Sequence, residues 1–374
     1  MKKQILILSV AFLASVTVVF AQAPNLGGAA TCITPTTVTC LTSDELHPVP
    51  GTDYDYTVNV PTPPGTKYYN WFVTQDQNFI TGSTLTTAIE ANNGTGAHIQ
   101  ATGAGYNDPG TIPTPGTGTN TINITWKSFT HDPAAPVFLV IYVQNDDACT
   151  TDNIQVYVIE PAHAFTLDIA NIGIDGSAQG DDFEMCVSDV VSAVYNLGTS
   201  TVDMDYGVNY MFFIVNAANY THSWQPSFQV GGLAGSRTVT AVDWAYPAEA
   251  VTGTWNATVG AGANWTAAGA TVPYVSATAG TVGPLGECII VRVTVDNNQA
   301  ETIVDTPISL AVDGIMRDPA LGTYVTATFG DIHHSTCTQD GFDNDVITQV
   351  LTARPDIHSA TGTPVLPFEP QNHD

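Results

Sequence analysis

The sequence predicts an all-β protein built from two tandem antiparallel β-sandwiches, the second enlarged, and three observations carry that reading. Short runs rich in Thr, Val, Ile and Tyr alternate apolar with polar residues, the period that buries one face of a strand. Stretches such as "PTPPGT" (61–66) and "GYNDPGTIPTPGTGTN" (105–120) separate those runs, as turns between strands require. Helical spacing of apolar residues is not sustained beyond two turns anywhere after Phe20. Helix is therefore expected to be scarce.

In chain order, Lys2 and Lys3 precede an apolar run from Ile5 to Phe20, and Val19-Phe20-Ala21 offers small or apolar residues for cleavage. Residues 1–21 read as a secretory signal peptide. No second apolar run of that length follows, so no membrane span is expected in the mature chain. A Pro- and Thr-rich arm covers 22–39. Strands are expected at "YDYTVNV" (54–60), "TINITW" (121–126), "VFLVIYV" (137–143), "IQVYVI" (154–159), "CIIVRVTV" (288–295), "TYVTATF" (323–329) and "ITQVLTA" (347–353).

The chain also repeats a phrase. "DACTTDNIQVYVIEP" (147–161) and "STCTQDGFDNDVITQVLTARP" (335–355) each run from Cys-Thr through a nearby Asp into an alternating apolar stretch closed by Pro. Each is read as the closing hairpin of one of two similar domains, 40–162 and 163–355. The second is enlarged around 231–286, and a tail follows at 356–374.

Composition narrows the functional classes. The chain carries 35 acidic against eight Lys and Arg residues, a formal charge of −27. Nucleic acid and anionic membrane surfaces are poor partners for such a surface. Only 11% of residues are charged, against roughly 25% in ordinary globular domains, so Thr, Asn, Gly and Ser must build the surface. A hydrophobic fraction of 44%, with 14 Tyr, 14 Phe and six Trp, argues against disorder.

The order of an early Cys, a "YNWFV" strand (69–73), an "INITW" strand (122–126) and a late Cys hairpin resembles the PKD and immunoglobulin-like modules of exported Bacteroidetes-type surface proteins. The second half resembles related extracellular β domains less closely. In such modules the early Cys often bridges the late one, which implies Cys40 with Cys149 and Cys186 with Cys337. Cys32 and Cys288 are then left over. A local Cys32–Cys40 bridge and a reach from Cys32 to Cys288, in the same or a neighbouring molecule, both remain open. The tail "GTPVLPFEPQNHD" does not resemble a type IX sorting domain.

No Gly-x-Ser-x-Gly elbow, phosphate loop, His-Glu-x-x-His helix or Cys-x-x-Cys pair is present, so an enzyme is not expected. His333 and His334 are adjacent and read as polar loop residues rather than metal ligands. No cofactor is expected beyond a possible structural calcium: Asp340, Asp343, Asn344 and Asp345 gather side-chain oxygens in one turn, as a hard cation requires. Phe342 breaks the EF-hand pattern, and Asp and Asn also favour turns for their own backbone caps. Trp244, Trp255 and Trp265 could stack on sugar rings or fill the enlarged core. The expected function is a secreted structural or adhesive surface protein, assembling into a homo-oligomer or filament through sheet edges and terminal arms. The alternative is a glycan-binding module using the Trp-rich segment 244–265.

Overall fold

The computed structural model describes residues 24–356 apart from 42, 63, 83, 93–95, 107–115, 130, 147–150, 221–222, 258–269, 272–274, 277–285 and 318–328. The expected signal peptide, Cys149, Trp265, most of the expected strand at 323–329 and the tail beyond Asp356 lie outside the described residues.

Eight strands precede residue 160: β1 (Asp53–Thr57), β2 (Lys67–Thr74), β3 (Ile80–Thr81), β4 (Thr84–Leu85), β5 (Ile99–Thr102), β6 (Thr121–Trp126), β7 (Val137–Asn145) and β8 (Thr151–Ile159). They form antiparallel sheets β1-β6-β5 and β2-β7-β8, with β3 and β4 paired on their own. Alternation explains the packing. Ile122, Ile124 and Trp126 of β6 meet Trp71, Val73, Leu139 and Ile141 of the other sheet in one core. Trp126 Nε1 donates to Tyr56 Oη at 2.8 Å, and that hydroxyl donates to the Glu45 carbonyl at 2.5 Å. The polar ends of two buried rings are thereby satisfied.

The remaining strands are β9 (Thr166–Ile172), β10 (Ala178–Gln179), β11 (Phe183–Cys186), β12 (Ser192–Asn196), β13 (Thr201–Asp205), β14 (Val208–Ala218), β15 (Ser223–Gly231), β16 (Thr238–Ala245), β17 (Asn256–Ala257), β18 (Ala270–Thr271), β19 (Val275–Ser276), β20 (Glu287–Asp296), β21 (Thr306–Met316) and β22 (Val346–Thr352). One sheet runs β10-β9-β14-β20-β16-β17, and another runs β11-β22-β21-β15-β18 with β19 also on β15. Among the described residues no sheet mixes strands from the two groups, and none closes into a barrel.

Met211, Phe213, Val215 and Ala217 of β14 face the main core, where Trp224, Phe228, Leu310 and Val312 of the other sheet meet them. Phe212 and Ile214 point to the opposite face and pack with Leu26, Ala30, Ala250 and Ile290. Being covered on both faces, β14 reads "VNYMFFIVNAA", an apolar run without alternation. Helix α1 (Pro247–Thr252) helps cover that second face. It starts at Pro247 with Glu249 accepting from the Tyr246 amide at 3.2 Å, and it stops at Gly253, whose φ of 81° suits only glycine comfortably.

The arm completes the cover. Cys32 is bonded to Cys288 on β20, and Cys40 to Cys337. Leu26 N donates to Ala250 O at 3.2 Å, Gly27 N to Ile174 O at 2.7 Å and Thr39 N to His334 O at 2.8 Å. These bonds correct the sequence reading in three places. The Cys40–Cys149 and Cys186–Cys337 pairings implied by the resemblance do not form, because the arm brings Cys40 to Cys337 instead and leaves Cys186 an exposed free thiol. The local Cys32–Cys40 bridge is absent. The described arm residues 24–39 lie along their own chain, held there by these bonds.

Two topological expectations also change. β11 runs parallel to β22, where purely antiparallel sheets were expected. β8 of the first phrase pairs antiparallel with β7 just before it, whereas β22 of the second pairs antiparallel with β21 across the long segment 317–345 and parallel with β11, so it closes no tight hairpin. His163, between the two groups of strands, is half-buried with Nε2 donating to Gly330 O at 2.5 Å. Burial holds its pKa below the usual histidine value.

Candidate functional site: an open apolar hairpin and an acidic cavity

β12 and β13 pair with each other and with no other strand among the described residues. The register Ala193↔Met204 and Tyr195↔Val202 puts these four side chains on one face. Val191 and Leu197 extend it by the same two-residue period. Both faces of the ribbon are exposed, Val194 of the other face by 61%; on this one Val191 is 67% exposed, Tyr195 57%, Leu197 86% and Val202 53%, with Met204 half-buried. A two-stranded ribbon is marginal alone in water, and a contiguous exposed apolar face marks a contact surface.

Local chemistry fixes the hairpin at both ends. At the tip, Asn196 Oδ1 accepts from Gly198 N at 2.9 Å and Asn196 Nδ2 donates to Asp203 Oδ2 at 3.0 Å. At the base, buried Asn297 donates to Ser188 Oγ at 3.0 Å, Gly207 O at 3.1 Å and Asn209 Oδ1 at 2.8 Å, and accepts from Arg237 Nε at 3.1 Å. Arg354 donates to the carbonyls of Ser188 and Tyr206. The base is thus a closed polar network carrying an apolar blade.

The acidic loop anticipated as a calcium site lies elsewhere. Asp340, Asn344 and Asp345 line a cavity of about 210 Å³ with Asp168, His333, His334 and Thr36; Asp343 is not among its lining residues. Asp168 is already held by the arm, accepting from Thr36 N at 3.0 Å and Thr36 Oγ1 at 2.5 Å. Asp340 accepts from the Asn344 side chain and from Gly341 N at 2.9 Å. Fully buried Asp331 lies behind, Oδ1 accepting from Gly314 N at 3.0 Å. Burial, reinforced by Asp313, raises its pKa well above the carboxylate range. Asp345 is pushed up to about 8 by burial and then by the charges of Asp340, Asp168 and Asp313. Among the described residues no three His, Cys, Asp or Glu side chains converge as a metal centre. His333 Nδ1 pairs with Ser335 Oγ at 3.0 Å.

The described tryptophans of the segment 244–265, Trp244 and Trp255, pack against two different cores. Trp244 is buried in the main core. Trp255 packs at 6.1 Å from Phe212, donates to Asn25 Oδ1 at 2.9 Å and carries Arg292 over its ring at 4.3 Å. Sequence inspection missed the hairpin, although "VVSAVYNLGTSTVDMD" (190–205) shows the alternation and a turn. The missing information was that no sheet of the described residues covers its apolar face.

No family model and no curated protein matches the chain. Among solved structures, the N-terminal domain of PorA aligns with 50% of this chain and 98% of its own at 10% identity and a TM-score of 0.22. The C-terminal domain of the AgI/II polypeptide BspA of Streptococcus agalactiae covers 61% of this chain and 62% of its own at 9% identity and 0.20. The full-length major pilin SpaD of Corynebacterium diphtheriae covers 71% and 65% at 11% identity and 0.20. The chain thus spans under two thirds of the BspA and SpaD chains. These are weak likenesses to bacterial surface proteins and assign neither a family nor an activity.

Proposed function

We propose that the chain is a secreted structural or adhesive cell-surface protein, a self-associating subunit whose halves, 40–162 and 163–355, are tandem immunoglobulin-like sandwiches. The observation that carries this reading is the exposed apolar face of β12–β13, on a hydrogen-bonded base, with neither strand edge paired to a third strand among the described residues. Burying such a face against another copy is worth roughly 25 cal/mol per Å² of apolar surface removed from water. The strand β12, Ser-Ala-Val-Tyr-Asn, is uncharged, so two copies can approach there without opposing carboxylates. Two disulfides suit an oxidising compartment outside the cytoplasm.

Light scattering across a concentration series and electron microscopy test the proposal, on the full exported chain and on a version ending at Asp356, so that residues 357–374 cannot mask the surface. Oligomers or fibres lost in Tyr195→Asp/Leu197→Asp support it. Monomers of both forms at every concentration overturn it.

A further inference from the structure

The end of the described chain lies beside the base of the open hairpin. β22 runs parallel to β11 with Cys186 opposite Thr352. Two residues further on in both segments, Arg354 donates to the Ser188 carbonyl. It also donates to Tyr206 O at 3.3 Å, with its guanidinium 5.0 Å from the centre of the Tyr206 ring. Ser188 leads into β12, and Tyr206 follows β13. The described chain therefore ends close to the foot of the blade.

The sequence outside the described residues suits the face it starts beside. "TPVLPFEP" (363–370) places Val365, Leu366 and Phe368 between three prolines, with Glu369 as its single charge. Proline favours extended, polyproline-like backbone and cannot donate to a strand ladder. Such a segment covers side chains better than it extends a sheet, and aromatic faces such as Tyr195 are its usual seat. Reach is sufficient: residues 357–368 extended span roughly 40 Å, against about 17 Å for a five-residue strand.

We propose that the apolar face of Val191, Tyr195, Leu197 and Val202 is the docking site for the chain's own C-terminal segment, with Val365, Leu366 and Phe368 as its anchors. The occupant is intramolecular because its point of departure is fixed at the hairpin base by Arg354. The inference concerns the same face as the assembly reading: the tail covers that face within one molecule, and a second copy must displace it to bind there.

Hydrogen exchange read by mass spectrometry tests it on the full exported chain, on the version ending at Asp356, and on full-length Phe368→Ser. Exchange across 192–205 is expected to be at least tenfold slower in the full chain than in the truncated form. β14 should be unaffected, and Phe368→Ser should fall toward the truncated value. Equal exchange in all three forms overturns the proposal. Protection that appears only as concentration rises overturns it too, by assigning the face to a second copy.

Discussion

Arg354 stacks 5.0 Å from the centre of the Tyr206 ring while its guanidinium donates to the carbonyls of Ser188 and Tyr206. One side chain thus ties the end of β22 to both feet of the β12–β13 hairpin. Arg354→Ala is expected to cost about 1 to 3 kcal/mol, the range for charge-assisted hydrogen bonds plus a cation–π contact. Arg354→Lys recovers only part, because a single ammonium cannot reproduce the planar fork. Urea unfolding of the three proteins measures the order.

Asn297 is the keystone of the same base, with three acceptors for its amide protons and Arg237 on its carbonyl. Asn297→Ala strands these partners in a buried site and is expected to cost about 2 to 4 kcal/mol. In the version ending at Asp356, Leu197→Asp, at the exposed tip, should change stability by no more than about 0.5 kcal/mol. Thermal unfolding of the pair separates a framework role from a surface role.

Removing the Cys32–Cys288 bond by double serine substitution opens a loop with a sequence separation of 256. The expected loss is roughly 5 kcal/mol in the chain-entropy model, reduced by the overlapping Cys40–Cys337 loop that still holds the arm. Limited proteolysis should then cut first within 24–39. An arm as resistant as before would show that its packing, and not the bond, holds it.

The buried acids give the molecule an unusual pH response. Asp331 and Asp345 keep their protons to higher pH than in the unfolded chain, where carboxyl groups ionise near pH 4. Their contribution to stability is present below that range and lost as pH rises toward about 8, where Asp345 ionises in the fold. Each such proton tilts stability by about 1.4 kcal/mol per pH unit. His163, held neutral by burial, acts oppositely as pH falls through the usual histidine range. Calorimetry between pH 5 and 8 is therefore expected to show a shallower decline with rising pH in Asp331→Asn than in the parent.

Much of the architecture was legible because strands with one wet face announce themselves. "TINITW" became β6 with the boundaries its alternation sets, and the runs at 137–143, 154–159, 288–295 and 347–353 lie within or almost within β7, β8, β20 and β22. "TPISLAVDGIM", which became β21, was not singled out, although it carries the central strand of a six-stranded sheet. The parallel β11–β22 pair was invisible because its partners lie far apart in the chain and neither is marked by a helix crossover. Cysteine spacing misled for a related reason: Cys40 and Cys337 are joined by the path of the arm over the folded body, which no local pattern encodes. The acidic loop was legible as a cluster of oxygens, but not the neighbours, Asp168 and Asp331, that set its electrostatics.

The two covalent links also bear on oxidative folding. Cys32 and Cys40 are close together in the chain, while their mates Cys288 and Cys337 lie far downstream. An oxidant that joins thiols in order of appearance would first seal Cys32 to Cys40, a link that the finished protein does not contain. Exchange of that early bond would then have to precede closure of the arm, so refolding of the reduced chain should quicken in a thiol–disulfide exchange buffer.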